Sequence, residues 1–250
     1  MLPVRIDNDR ICIGRHLSVS FQRTLRIPDD GRTYPLPPGL GQFPVMSVAD
    51  YPHTIPDAWR AQGGVFIPMY QREALWLAFD GAEWRPNAVK VGIGKINALS
   101  AESWDQRLRS AKQDYIVVPD QPWLDGINAG HGWIRQFVAM PLGMGYTIEG
   151  QQTGAEEFGG IQLIVYDPKA GRFPDNPPAT RHQALYECCV RMASPDSMGL
   201  SAGGKMRQKI SPDRYGIESW DSNNFGRVYV HIVNSVVFRE ITGLQPPPTP

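Results

Sequence analysis

The stretch ICIGRHLSVSFQRTLRI, residues 11–27, decides the fold class because apolar side chains occupy most of its odd positions and polar ones most of its even positions. A repeat of two residues is typical of a β-strand that buries one face. Seventeen residues at about 3.3 Å each would span roughly 55 Å, which is too long for one strand. The sequence therefore predicts a bend or a bulge at Gly14 or Arg15.

Seven further stretches are rich in aromatic and β-branched residues, and glycine or proline separates them from their neighbours. Such runs are typical of strands, and their close spacing favours a meander or a sandwich of antiparallel strands. The stretches are residues 64–79, 87–99, 114–119, 132–140, 145–149, 159–167 and 226–233.

Three stretches carry residues that begin or end helices. Pro56 and Gly63 bound the first, Ser100 is a suitable N-cap for the second, and Asn234 and Gly243 bound the third. In the second, acidic residues come early and basic ones late, which suits the helix dipole. The sequence therefore predicts short helices within residues 55–64, 100–113 and 234–243.

The prolines and Gly31 of residues 26–44 predict a turn followed by an extended crossing that forms neither helix nor strand. No internal repeat or change of composition divides the chain. We therefore expect a single mainly β domain over residues 1–245, a β-sandwich or an open barrel with two to four short peripheral α-helices. Residues 246–250 form a proline-rich tail that we expect to be exposed.

Composition limits the classes of partner and cofactor. Lys and Arg number 25, as do Asp and Glu, so no overall charge attracts nucleic acid or an anionic membrane. Apolar runs are too short to span a bilayer, and we expect a soluble cytoplasmic protein. The cysteines have no zinc or disulfide spacing and the histidines no metal-ligand spacing, so we predict no metal site. These are Cys12, Cys188 and Cys189, with His16, His53, His131, His182 and His231.

The stretch MGLSAGGKMRQKI, residues 198–210, has the glycine and lysine spacing of a phosphate-binding P-loop. Met206 occupies the position of the magnesium-binding hydroxyl, and no apolar strand precedes the first glycine. We therefore expect a mobile glycine turn whose Lys205, Arg207 and Lys209 could bind an anion. The paired glycines Gly92 and Gly94 lack the rest of a dinucleotide fingerprint and are better explained by a bulge or a close backbone approach.

Glycines, glutamines and acids make residues 149–160 a candidate binding loop. Glu149 and Gln152 within it, together with His231 from the last strand, are the candidates for acid-base or orienting groups. The alternation of residues 226–233 places Arg227, Tyr229 and His231 on one face of a strand, where they could orient an anionic group. The simpler alternatives are a solvated hairpin loop and an ordinary half-exposed sheet face.

Trp123, Met140 and Met144 are candidates for an apolar ligand groove or a subunit interface, although core packing is the ordinary role of these residue types. Three functions remain open. We favour a binding or self-assembly protein, with a protein partner or a second copy as the first expectation and a small molecule as the next. The alternatives are an enzyme with an acid-base site near residues 149–160, and an anion- or nucleotide-binding protein at residues 198–210.

Overall fold

The structure, a computed structural model, describes residues 1–35, 37–130, 133–144, 147–154, 159–178 and 205–249. These residues form two β-sheets and three short α-helices, so the expected mainly β fold with few helices is confirmed. The strands are β1 (Val4–Asp7), β2 (Arg10–Ile13), β3 (Leu17–Thr24), β4 (Gly39–Gln42), β5 (Met46–Ser47), β6 (Val65–Met69), β7 (Ala74–Gly81), β8 (Asn87–Ile93), β9 (Ile96–Asn97), β10 (Ile116–Val118), β11 (Trp123–Leu124), β12 (Gly126–Gly130), β13 (Trp133–Val138), β14 (Ile161–Pro168), β15 (Lys205–Arg207) and β16 (Trp220–Asn234).

The first sheet has the strand order β1-β2-β3-β7-β13-β12, with β4 beside β3, β11 beside β7 and β15 beside β13. The second sheet has the order β10-β8-β14-β16-β6-β5, with β9 beside β8. Neighbouring strands are antiparallel except β16 and β6, which run parallel. The main hydrophobic cluster contains Phe21 and Leu77 from the first sheet and Val89, Leu163 and Val230 from the second. The core therefore lies between the two sheets.

The alternating stretch 11–27 forms a hairpin and not one bent strand. β2 and β3 pair antiparallel, with Ile11 opposite Val19, and both side chains are fully buried. Gly14 lies in the turn with a φ of +67°, a conformation that glycine adopts without steric cost. The alternation is interrupted at Gly14, as predicted, but the chain reverses there instead of bending.

Helices α1 (Asp57–Gln62) and α3 (Ser235–Thr242) confirm two of the three predicted helices. The Asn234 side chain caps α3 by accepting a hydrogen bond from the Val236 N–H at 2.9 Å. Gly243 ends α3 in the left-handed conformation. Within the described residues, no helix has the length and apolar character needed to cross a membrane.

The helix predicted over residues 100–113 is wrong, since this stretch forms turns and an isolated bridge. Lys90, a buried residue of β8, organises it instead. Its ammonium group lies 3.0 Å from Asp105 and 2.7 Å from Asp114, and it also donates to the Arg107 carbonyl. Because these bonds hold carboxylates and a backbone carbonyl around one buried cation, the segment cannot close regular helical turns.

The strand predicted over residues 145–149 is also wrong in the part that the structure describes. Thr147 accepts a hydrogen bond from the Gly150 N–H at 3.1 Å and begins helix α2 (Ile148–Thr153), which Gly154 ends. A threonine cap and a left-handed glycine with six residues between them define one short helix. The first half of the candidate loop 149–160 is therefore helical, and residues 155–158 lie outside the described part.

Two smaller predictions about connecting segments also need correction. Residues 26–44 contain β4, which pairs with β3, and so are not purely a crossing.

In the tail, Pro246 and Pro247 are half-buried, and the Pro248 carbonyl accepts a hydrogen bond from Arg23. Arg23 forms a buried ion pair of 2.8 Å with Glu73, so the tail contacts a fixed charge of the sandwich.

Candidate functional site

A cavity of about 340 Å³ opens at one end of the sandwich, between the two sheets. In the first sheet, Phe137 and Leu75 are cross-strand partners at this end. In the second sheet, Ile93 and Ile161 are cross-strand partners at the same end. The cavity therefore lies where the strands of both sheets end and their core-facing side chains no longer meet. Its other apolar residues are Ile27, Met69, Val138, Ala139, Met140, Leu142, Ile148 and Ile232.

One wall of the cavity depends on Gln136 of β13. Its side-chain oxygen accepts a hydrogen bond from the Ile27 N–H, and its side-chain nitrogen donates to the Leu25 carbonyl, both at 2.9 Å. The amide thus holds the chain after β3 as if it were another strand, and this places Arg26 at the cavity rim. Arg135 also lines the cavity. Both guanidinium groups are on exposed residues and make no salt bridge within the described part of the chain.

Glu149, in the first turn of α2, is the buried acid of the cavity wall and is only 3% exposed. Its Oε2 accepts a hydrogen bond from the Gly159 N–H at 2.8 Å. A Cβ atom on Gly94 would lie 2.5 Å from the same oxygen, so the carboxylate sits directly against the glycine backbone. A carboxylate fixed in this way can accept a hydrogen bond from a ligand or balance a positive charge.

Gln152 and His231, the other acid-base candidates, do not line the cavity. Gln152 is exposed on α2. The His231 ring is buried and stacks on Trp59 with ring centroids 4.4 Å apart, and its Nε2 donates to the Gly63 carbonyl at 3.0 Å. Burial lowers the pKa of His231. Its visible role is to fix α1 against the second sheet.

Arg227 and Tyr229 line a second depression, on the outer side of the second sheet. The Tyr229 hydroxyl donates to the Gly159 carbonyl at 2.7 Å. Burial raises the pKa of Tyr229, and the negative charge of Glu149 raises it further. Tyr229 and Glu149 therefore both hydrogen-bond to Gly159, at its carbonyl and its N–H respectively, although they line different spaces.

Trp123 lies apart from both spaces, on the short strand β11, with 41% of its surface exposed. Its Nε1 donates to Oδ2 of Asp125 at 3.1 Å. The other oxygen, Oδ1, is buried and has no hydrogen-bond partner in the described part of the chain. Burial raises the pKa of Asp125 to about 6, while the Trp123 hydrogen bond acts in the opposite direction.

Lys205 and Arg207 begin and end β15, where they pair in register with Arg135 and Trp133 of β13. The predicted mobile turn at these two positions is therefore wrong. A P-loop would require a helix after Lys205, and the backbone continues as a strand. Residues 198–204 lie outside the described part of the chain, as do His131, His182, Cys188 and Cys189. Among the described residues, no group of three or more His, Cys, Asp or Glu could hold a metal ion.

Several residues of the site carried no sequence signal. Arg26 and Arg135 look like ordinary surface arginines, and only the pairing of β13 with its neighbours brings them to one rim. Asp125, which lies outside the cavity beside Trp123, is buried although its turn-like PWLDG stretch gives no sign of burial. Of the methionine candidates, Met140 lines the cavity and Met144 is 60% exposed close to it in sequence.

Comparison of the chain with protein-family models, with curated proteins and with solved structures gave no match. Neither a family nor a structural neighbour therefore suggests an activity. The function has to be argued from the cavity, from the charges around it and from the chemistry of the residues that line it.

Proposed function

We propose that the protein binds a small, mainly apolar molecule in the cavity at the end of the sandwich. The observation that carries this proposal is an apolar-walled space of about 340 Å³ with one buried carboxylate, Glu149, in its wall. Ligand pockets commonly have volumes of about 300 to 1,000 Å³ and combine apolar walls with a few polar groups. Protein interiors are otherwise packed closely enough to leave few voids larger than a water molecule.

The polar groups suggest the shape of the ligand. Glu149 supplies an acceptor inside the cavity, and Arg26 and Arg135 supply donors at its rim. A molecule with an apolar body and a polar group at one or both ends would bring its polar groups to these side chains and its body to the apolar walls. Leu142, which lines the cavity and is 52% exposed, offers further apolar surface at the entrance.

Binding is favoured over acid-base catalysis by the positions of the three candidates. Of Glu149, Gln152 and His231, only Glu149 lines the cavity. General acid-base catalysis needs titratable groups within hydrogen-bond reach of one reacting atom. The distribution of these side chains therefore supports a binding role for Glu149.

Titration with the neutral fluorescent dye N-phenyl-1-naphthylamine tests the proposal. Ala139 is half-buried and lines the cavity, so Ala139→Phe places a ring in the space that a ligand would occupy. We expect the wild type to bind one dye molecule per chain with a saturable signal. Ala139→Phe should lower the affinity for the dye about tenfold or more, equivalent to about 1.4 kcal/mol. Ala61→Phe, the same change at an exposed position of α1 outside the cavity, should leave the affinity unchanged.

Two results would contradict cavity binding: no saturable signal, or equal weakening by both phenylalanine variants. Glu149→Gln keeps an oxygen for the Gly159 N–H and removes the charge. If Glu149 accepts a hydrogen bond from the dye's amine, this variant should lower the affinity for the dye while the thermal unfolding temperature stays unchanged. Unchanged dye affinity would remove Glu149 from the ligand contacts.

A second proposal, self-association, is supported by the exposed indole of Trp123 on β11. Native mass spectrometry separates the two ideas, because one spectrum reports both the number of chains and any retained small molecule. A monomer that carries extra mass, lost in Ala139→Phe, supports cavity binding. A defined oligomer that dissociates in Trp123→Lys supports self-association, and an unchanged mass distribution in that variant counts against this interface.

A further inference from the structure

The second depression is a groove of about 950 Å³ on the flank of the sandwich, separate from the end cavity. It runs between β1, α1 with the segment before it, and the outer side of β14 and β16. Its charged side chains are four basic residues and one acid, namely Arg5, Arg60, Lys95, Arg227 and Asp50. Because the whole chain has no formal net charge, this groove is a local concentration of positive charge.

Two hydrophobic clusters pack on the outer face of the second sheet, one on either side of the groove. On one side, Phe66 and Val233 of the sheet pack under Phe238 of α3. On the other side, Ile164 and Tyr166 pack with Trp220 in a separate cluster. In the described part of the chain, the groove lies between these two clusters, and Gln162 of β14 and Arg227 and Tyr229 of β16 line it.

The floor of the groove carries hydrogen-bonding groups of fixed position. Gln162 of β14 lies opposite Tyr229 of β16 in the register of the sheet, and both line the groove. Gln162 donates to the Gly94 carbonyl, which holds its side chain against the β8–β9 turn. Lys95 follows in that turn, so the sheet sets the position of its backbone.

The basic groups differ in how strongly they are already paired. Arg60 lies 2.8 Å from Asp57 and Arg5 lies 3.9 Å from Asp7, but these pairs are exposed and therefore weak in water. Arg227 is exposed, and its guanidinium makes no salt bridge or hydrogen bond to any residue that the structure describes. Its five N–H donors suit the oxygens of a phosphate.

We propose that this groove binds a small soluble molecule that carries two or more phosphate groups. One phosphate would take the guanidinium of Arg227, and a second would lie between Lys95 and the basic side chains of β1 and α1. Several phosphates suit the groove because its basic side chains come from four separate elements, β1, α1, the β8–β9 turn and β16.

Isothermal titration with inorganic tripolyphosphate, at about 20 mM and about 200 mM NaCl, tests the proposal. We expect one site per chain and weaker binding at the higher salt concentration, where charges are screened over shorter distances. Arg227→Gln and Lys95→Gln should each weaken binding about threefold to tenfold. Arg239→Gln removes the same charge from an exposed position of α3 outside the groove and should change affinity less than twofold.

The proposal fails if no saturable binding occurs at the lower salt concentration, or if Arg239→Gln weakens binding as much as Arg227→Gln does. Circular dichroism melting of each variant shows whether a lost affinity reflects lost folding, and Lys95→Gln gives a second reading if Arg227→Gln is unstable. Ala139→Phe should leave tripolyphosphate binding unchanged. Loss of binding in that variant would place the anion in the end cavity and overturn the assignment to the groove.

Discussion

Asp125 should make the protein less stable as the pH rises from acidic to neutral. Its carboxyl is 5% exposed, and burial raises its pKa from an ordinary value near 3.8 to about 6. The folded state therefore binds the proton more tightly than the unfolded state does. Stability is lost as the pH rises from the ordinary pKa of 3.8 to the folded-state pKa of about 6. A rise of about two pKa units corresponds to about 3 kcal/mol once the pH exceeds the folded value.

Comparison with Asp125→Asn isolates this effect. The amide keeps an oxygen for the Trp123 N–H but places an N–H group where Oδ1 has no partner. That unpaired group costs about 1 to 3 kcal/mol at every pH. The variant's absolute stability is therefore not informative, whereas the pH dependence of its difference from the wild type is.

The assay is urea unfolding of both proteins at pH 4.5 and pH 7.5. We expect the variant to gain about 2 kcal/mol relative to the wild type between these two pH values, because part of the wild-type penalty is already present at pH 4.5. His231 alone would produce the opposite trend, since its pKa is lowered by burial and its stability contribution is lost as the pH falls. Taking the difference between the two proteins cancels the histidine contribution.

Val236→Ala, at a position of α3 that is 58% exposed, replaces no titratable group and is the control, so its difference from the wild type should not change with pH. A difference between wild type and Asp125→Asn that is equally flat would refute the reasoning. It would mean that water or protein movement solvates Asp125 in the folded state.

Three further substitutions should lower the free energy of unfolding measured in urea. Gly92→Ala should cost about 1 to 3 kcal/mol, because a Cβ there would lie 2.6 Å from the ring of Trp104. Lys90→Met should cost about 3 to 5 kcal/mol, because it leaves the carboxylate of Asp114 buried without its cation. Asn234→Ala should cost about 1 kcal/mol through loss of the helix cap.

Each of these changes has a milder counterpart. Gly39→Ala meets no atom within 4 Å, Arg109→Gln removes a cation that is half exposed, and Asn234→Ser keeps a capping oxygen. All three should stay within about 0.5 kcal/mol of the wild type. Equal costs for a substitution and its counterpart would argue against the contact named as the cause.

The parts of the fold that follow from local patterns were predictable from the sequence. Helix α3 begins at its asparagine cap and ends at its glycine because both signals act within one turn of the chain. The strand of residues 226–233 follows from alternation alone. The helix expected over residues 100–113 failed because Lys90, ten residues before Ser100, competes for its carboxylates and carbonyl groups.

The candidate site was predictable only in part. Glu149 could be identified because it begins a stretch with an unusual number of glycines and polar residues. The walls of the cavity could not, since they come from Arg26 near one end of the chain and from Ile232 near the other. Their meeting depends on sheet order, and a local period of two residues does not specify which strands become neighbours.

Gly159 makes a backbone hydrogen bond to one residue of each proposed site. Its N–H donates to Glu149 in the cavity wall, and its carbonyl accepts from Tyr229 in the groove. The φ values of Gly159 and Gly160, +52° and +60°, favour glycine, and the Gly160 carbonyl accepts from the Gly94 N–H at 3.0 Å. The N–H and the carbonyl of Gly159 belong to two successive peptide groups, and hydrogen bonds to both fix the orientation of this residue. Gly159 therefore links the wall of the end cavity to the groove, because each of its backbone polar groups has its partner in a different proposed site.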